Sequence, residues 1–308
     1  MGPLRKEIDL IDDKLIKLLE QRFQITSKIG VKKREQKHSV FDPSRELEIL
    51  EKIKTKDPLI KEELESVYKA IFTESKKGIS LKQHPEIPFE RIKIIGVGLI
   101  GGSILKNLSD HIVDKDPDLI IISSPLDTIL PIAKGIKSNK PLVVIDVGSV
   151  KRGIAKNFEQ LSRANVDFIA THPFAGKEVS GFENSSPTLF VQSPWIITPH
   201  SKNKKKNIER VCEFIEFLGA VPIVLSPEEH DRKAALVSHL PGVLSRLFLK
   251  FVTEIDNDAI KIAGPGFKSF TRLAHDNPEL RSAIEKLNKN NIKKFGKMWI
   301  ELLKKELG

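Results

Sequence analysis

Arg91 to Ser103 reads RIKIIGVGLIGGS, and no other stretch limits the possible folds of this chain so sharply. A strand-like IKII feeds Gly96, Gly98 and Gly101 at GxGxxG spacing, Leu99 and Ile100 fill the loop, and an apolar ILKNL follows. Strand, glycines and helix in that order make the βα turn of a dinucleotide-binding sheet. One glycine serves the tight turn, one lets backbone approach a pyrophosphate, and one lets the helix pack close on the strand, with the phosphates at the helix N-terminus. Ser103 stands at a candidate small-residue helix start.

A complete mononucleotide half then needs a second strand ending in a residue that reads the ribose, roughly 20 residues past the last glycine. Here sixteen residues separate Gly101 from Asp118, enough for one short helix and a turn. HIVD, at His111 to Asp114, is a candidate remnant edge strand, and Asp110, Asp114 and Asp116 are candidate ribose readers by nearness alone. Further strands are expected at Asp118–Pro125, Pro141–Ser149, Val166–Pro173, Trp195–His200 and Val221–Ser226, with helical stretches between them. That alternation predicts βαβ units and a largely parallel sheet. Ser124, Ser149 and His172 fall at strand ends, where open α/β sheets place ligands. EEHDRK, with His230 and Asp231, reads as a strand-to-helix junction, and His275 as a turn residue; no second His or Cys nearby calls for a metal.

Ahead of the glycine loop the pattern changes. Leu4, Ile8, Ile11, Leu15, Leu18, Ile25 and Ile29 make a heptad seam whose missing member is Arg22. The pattern predicts a helix of about 30 residues, roughly 45 Å long, which needs a partner to cover it. An arginine on an apolar seam must be paired or ligand-bound. Lys33 lies three turns on, on the same face and about 16 Å away, while Arg5 lies about 25 Å in the other direction. If Arg5 serves the same ligand, a second antiparallel protomer must supply it. FDPSRE starts another helix, with Asp42 near the cap and Pro43 in the first turn. Helices are expected through about Lys56 and from Pro58 to about Lys77.

The totals exclude several classes. The chain has no uninterrupted apolar run of membrane-spanning length, and MGPLRKEIDLIDD is charged rather than signal-like, so a cytoplasmic enzyme is expected. A single cysteine, Cys212, lies in the apolar pattern VCEFIEFLGA and reads as core filler. Against a net charge of +10, the only dense basic run is KNKKK at Lys202 to Lys206, without interleaved aromatics, which reads as a solvated helix start rather than a nucleic-acid patch. A basic balance also suits small polyanionic substrates.

LRKEID, LLEQR, KIGVKKRE and FDPSRE resemble the all-helical chorismate mutase family from Leu4 to about Lys77. The resemblance implies an intertwined helical dimer enclosing chorismate, with Arg5 donated across the dimer. It also implies that Arg5, Arg22 and Arg45 hold the two carboxylates, Lys33 the ether oxygen and Glu46 the ring hydroxyl. The implied reaction is a pericyclic rearrangement to prephenate, driven by conformational restriction and electrostatics without a cofactor. Four residues after Ser75, where that family usually has glutamine or glutamate, stands Ile79, with Gln83 further on.

From Arg91 to about Pro278, GVGLIGGS, ISSPL, DVGSVK, THPFAG, EEHD, SHLP and GFKSFTRLAHDNP in that order resemble the prephenate dehydrogenase family. That resemblance implies that His172 accepts the ring-hydroxyl proton while hydride passes to a nicotinamide and carbon dioxide leaves. Ser149 would orient His172, Arg272 would clamp a substrate carboxylate, His239 would sit at the substrate, and Glu178 would help close the site. Gly96, Gly98, Leu99, Ile100, Gly101, Ser124 and Pro125 would hold NAD, or NADP in its place. Lys177, Ser269 and Arg281 depart from the types expected there.

The expected architecture is an all-α domain over 1–80, a linker over 81–90, an α/β Rossmann-like domain with an abbreviated first half over 91–228, and an all-α dimerisation domain over 229–308. A homodimer acting on chorismate and prephenate follows, with no metal, nucleic acid or membrane. A second reading, an active mutase fused to a binding or dimerising module, is motivated by the shortened nucleotide half.

Overall fold

The computed structural model describes residues 2–35, 43–54, 60–81, 87–177 and 179–308. The side chains of Lys33, Glu46 and Ile79, and residues Gln83 and Glu178, lie outside the described residues. The chain forms two compact units, Met1–Pro85 and Glu86–Gly308.

In the first unit α1 (Gly2–Glu35) and α2 (Pro43–Lys54) both pack on α3 (Lys61–Leu81). The helix ends expected at Lys56 and Pro58 lie outside the described residues. Ile53, Phe72 and Ser75 are buried between the helices. The heptad seam of α1 is not: Leu4, Ile8, Ile11, Leu15, Leu18, Ile25 and Ile29 remain 47–63% exposed.

The second unit is built on six strands, β1 (Ile92–Ile95), β2 (Leu119–Ile122), β3 (Leu142–Asp146), β4 (Val166–Pro173), β5 (Pro194–Thr198) and β6 (Val221–Val224). They lie in the sheet in chain order. The first four run parallel, β5 is antiparallel to β4, and β6 is parallel to β5. LIII and LVVID read as unbroken apolar runs because both faces of a parallel sheet are covered. The helices α4 (Leu99–Leu105), α5 (Leu126–Gly135), α6 (Arg152–Leu161) and α7 (Lys205–Phe217) supply the cover. Ile92, Leu119, Ile121, Val143, Ile145 and Ile169 face one core, and Ile120, Ile122, Val144, Phe168 and Ala170 the other. Cys212 is half-buried against the first of these, where burial raises its thiol pKa.

The C-terminal helices continue from the sheet without a break in packing. They are α8 (Pro227–Ala234), α9 (Leu240–Ile255), α10 (Pro265–Thr271), α11 (Pro278–Leu287) and α12 (Lys289–Leu307). Ser226 caps α8 by accepting from the Glu229 amide at 3.1 Å, with Pro227 in the first turn. A π-helical turn, Ala235–His239, joins α8 to α9. Pro241 explains it, since a proline cannot donate to the preceding turn. The continuous helix Pro227–Ile255 is long and apolar enough to cross a membrane by length and composition, although charged residues interrupt its apolar runs.

Candidate active site

The glycine loop divides its glycines by task. Gly96 has φ +94°, and a Cβ there would sit 2.2 Å from the Ser123 carbonyl oxygen at the end of β2. At Gly101 a Cβ would lie 2.0 Å from the Gly96 oxygen. Both glycines are therefore demanded by the fold. Gly98 has no positive φ and nothing within 4 Å of the Cβ position. No described residue requires a glycine there, and the open face is what close approach of a pyrophosphate needs. Leu99 and Ile100 open α4; Ser103 lies inside that helix, its hydroxyl donating to the Leu99 carbonyl at 2.6 Å, not at the helix start that the sequence suggested. Ser124 accepts from Thr128 at 2.9 Å and Pro125 caps α5, so both border the loop at the ends of β1 and β2. Gly98→Ala is expected to leave the thermal midpoint unchanged while abolishing nucleotide binding. Gly101→Ala is expected to cost several kcal/mol of stability through overpacking against backbone, as calorimetry and a nucleotide titration on both variants would check.

Two strands away, β4 delivers His172 at its C-terminal end. His172 Nδ1 is 2.9 Å from His230 Nε2, and His230 Nδ1 is 2.8 Å from Asp231 Oδ1. Asp231 is also the cap of α6, accepting from the Lys151 amide at 2.7 Å and the Arg152 amide at 3.0 Å. A carboxylate only accepts, so His230 carries its proton on Nδ1 and offers a lone pair at Nε2. His172 must then donate from Nδ1, which leaves its Nε2 as an acceptor that no described residue engages. The short helix α8 thus sets the tautomer of a histidine 58 residues earlier in the chain.

His239 completes the group. Asn288 donates from one amide nitrogen to the Asp231 carbonyl at 2.7 Å and to His239 Nδ1 at 2.9 Å. His239 therefore bears its proton on Nε2, and that nitrogen is buried without a partner among the described residues. Eight residues at 100° overshoot two α-turns by about 80°, and a π turn absorbs about one of them, bringing His239 back into line with Asp231. An acceptor on His172 and an unpaired donor on His239 are consequently fixed by one hub.

Burial pushes the His172 pKa well below 6.5, helped by the nearby His230, Lys151 and His239. It pushes His239 down to about 4, and lowers His230 against the opposing pull of Asp231. Asp231 stays below the usual carboxylate value: burial works against it, but hydrogen bonds from His230, Lys151 and Arg152 prevail.

Ser149 lies half-buried in the turn between β3 and α6. Among the described residues the partner of His172 is His230, not Ser149. Arg272 is exposed in the turn Arg272–His275, which packs on α9. His275 belongs to the same turn.

In the first unit, Arg22 donates to Ser75, which itself donates to the Ile71 carbonyl at 2.7 Å, and its guanidinium lies 5.6 Å from the Phe72 ring centre. This is how α3 holds a cation on the seam of α1. Arg45 pairs with Glu48 at 2.5 Å on the exposed face of α2, and Arg5 is exposed near the start of α1.

Residues 4–78 match the chorismate mutase type II family, 104–232 the nucleotide-binding domain of prephenate dehydrogenase, and 226–306 the prephenate dehydrogenase dimerization domain. The chain is 30% identical to the prephenate dehydrogenase of A. aeolicus, whose structure contains hydroxyphenyl propionate and NAD+; the similarity covers 71% of this chain and 90% of that one, with a TM-score of 0.64. It belongs to the prephenate dehydrogenase family.

Among other members of the family, the prephenate dehydrogenase of Bacillus subtilis is 26% identical over 70% of this chain and 69% of that protein. The cyclohexadienyl dehydrogenase of Zymomonas mobilis is also 26% identical, over 62% of this chain and 78% of its own length. The family matches over 104–232 and 226–306 take in the helices that carry Asp231 and His239.

Proposed function

We propose that this chain is a bifunctional enzyme of tyrosine biosynthesis, converting chorismate to prephenate in the first unit and oxidatively decarboxylating prephenate to 4-hydroxyphenylpyruvate in the second. The product of one domain is the substrate of the other, which is a reason for the two to share a chain. The single observation that carries the dehydrogenase half is the oriented acceptor at His172 Nε2, held by His230 and Asp231 at 2.9 and 2.8 Å.

In this reading His172 takes the proton of the ring hydroxyl as the ring loses hydride and carbon dioxide, and aromatisation drives the step. His239 donates from Nε2 to an acceptor oxygen of the substrate, and Arg272 clamps a carboxylate. NAD, bound across Gly96, Gly98, Gly101, Ser124 and Pro125, supplies the hydride acceptor. In the first unit Arg22, Arg45, Lys33, Glu46 and a partner's Arg5 grip chorismate, and cations at the ether oxygen stabilise the charge that develops there.

The enzyme works as a cytoplasmic homodimer in this reading. Two surfaces support it: the exposed seam of α1, and the exposed apolar residues of the C-terminal helices, among them Phe251, Ile255, Met298 and Trp299. The latter lie within the match to the dimerization domain, which accounts for a long apolar helix without a membrane.

The test supplies chorismate and NAD to the full chain and follows loss of chorismate together with reduced nicotinamide. Both signals are expected, and Arg22→Ala is expected to lower chorismate turnover by on the order of 10²-fold or more with helicity retained. Chorismate loss without reduced nicotinamide, even when prephenate is given directly, would sink the dehydrogenase half.

A further inference from the structure

The sheet stops at β1, and this changes what the nucleotide site can read. In a doubly wound dinucleotide fold the strands beyond the first one bring a residue to the adenosine ribose, beside the C-terminal end of that first strand. Among the described residues of this unit, what flanks the outer edge of β1 is a single parallel bridge, Ile112 to Ile92, with the Val113 amide donating to the Ile92 carbonyl at 2.9 Å. Ile92 is the first residue of β1, so the remnant touches the end of the strand remote from the glycine loop.

The chain is then drawn further toward that remote end. Lys93 Nζ donates to the Asp114 carbonyl at 3.2 Å, and Arg91 donates to the carbonyls of Lys115 at 2.5 Å and Asp116 at 2.8 Å. Asp116 pairs with Lys140 at 2.9 Å just ahead of β3, and Asp118 accepts from the Arg91 amide at 2.9 Å. Asp114, Asp116 and Asp118 therefore cluster where the parallel strands begin, whereas the glycine loop stands where they end. Four residues of strand, about 13 Å, lie between. The acids nearest in sequence to the expected ribose reader are at the wrong end of the sheet to act as one.

From this we infer that the site recognises the nicotinamide, its ribose and the phosphates at Gly98 but not the adenosine half, so that it accepts NAD, NADP and nicotinamide mononucleotide as near-equivalent ligands. The inference rests on the nicotinamide reading proposed above. A carboxylate that reads the ribose is worth roughly 10- to 100-fold in affinity; without one, that discrimination disappears.

The experiment titrates the full-length protein with NADH, NADPH and reduced nicotinamide mononucleotide, following the nicotinamide fluorescence they share, with AMP as competitor. The three dissociation constants are expected within about tenfold of one another, with AMP failing to displace any of them at millimolar concentration. A spread greater than tenfold, or displacement by micromolar AMP, would overturn the inference while leaving the nicotinamide reading intact. If none of the three reduced nucleotides binds, the nicotinamide reading itself falls and the inference with it. Asp114→Asn and Asp116→Asn are expected to leave the ratio of NADH to NADPH affinity where it was. A tenfold move toward NADPH in either variant would identify a ribose-reading acid and overturn the proposal by a second route.

Discussion

His172→Asn is expected to lower prephenate turnover by about 10³-fold, within the range of positioned acid–base catalysis, and to leave chorismate consumption at the parent rate. The proton acceptor it removes lies in the second compact unit, whereas Arg22 and Arg45 lie in the first. Only the neutral imidazole can accept a proton, and burial keeps the His172 pKa well below 6.5. Turnover should therefore stay flat through neutral pH and fall only as the solution becomes more acidic than the ordinary imidazole range. Because the tautomer depends on His230, His230→Leu should also slow turnover, on the order of 10²-fold for a misaligned base. His230→Gln places an amide oxygen where Nε2 stood and should recover most of that loss, which a purely structural role for His230 would not produce. Steady-state rates from pH 5 to 9 for the three variants distinguish these outcomes.

Much of this architecture is written locally. LIII and LVVI are strands as unbroken apolar runs, IKII as a β-branched run interrupted only by Lys93 at the sheet edge, and the glycine spacing fixes which of them comes first. His172 is legible too, as a polar residue at the end of a buried strand. The hub is not. Asp231 reads from sequence as a junction residue, and it is one, since it caps α6. Its second task depends on His230, His239 and Asn288 meeting through a π turn, and helical periodicity predicts His239 about 80° out of line. Adjacency of His and Asp at a helix start was the only local signal. Likewise the shortened nucleotide half was countable from Gly101 to Asp118, but which end of the sheet Asp114 and Asp116 occupy became clear only from the carbonyl contacts of Lys93 and Arg91.

Asp146→Ala is expected to destabilise the second unit by about 3–5 kcal/mol, the cost of stranding a buried charge. Asp146 ends β3 and meets Lys151 Nζ at 2.5 Å, and both side chains are 0% exposed. Its carboxylate also accepts from the Gly148 amide at 2.8 Å and the Thr171 amide at 3.0 Å. Loss of the carboxylate leaves two buried amides without that acceptor, and leaves the ammonium with the Thr171 carbonyl at 2.6 Å. Lys151→Met should cost less, about 1–3 kcal/mol, because the carboxylate keeps both amides and the methionine fills the space of the lysine stem. The asymmetry reaches the active site, since Thr171 immediately precedes His172 and its hydroxyl both donates to the Asp146 carbonyl at 2.5 Å and accepts from Trp195 at 3.0 Å. At temperatures where both variants remain folded, Asp146→Ala should therefore lose more prephenate turnover than Lys151→Met. Thermal unfolding followed by circular dichroism, with the dehydrogenase assay run below both midpoints, measures the two effects separately; equal midpoints for parent and variants would mean that the buried pair stabilises nothing. A pair retained at the junction of β3, α6 and β4 acts on stability and on His172 through the same carboxylate, so the two losses should rise together from Lys151→Met to Asp146→Ala.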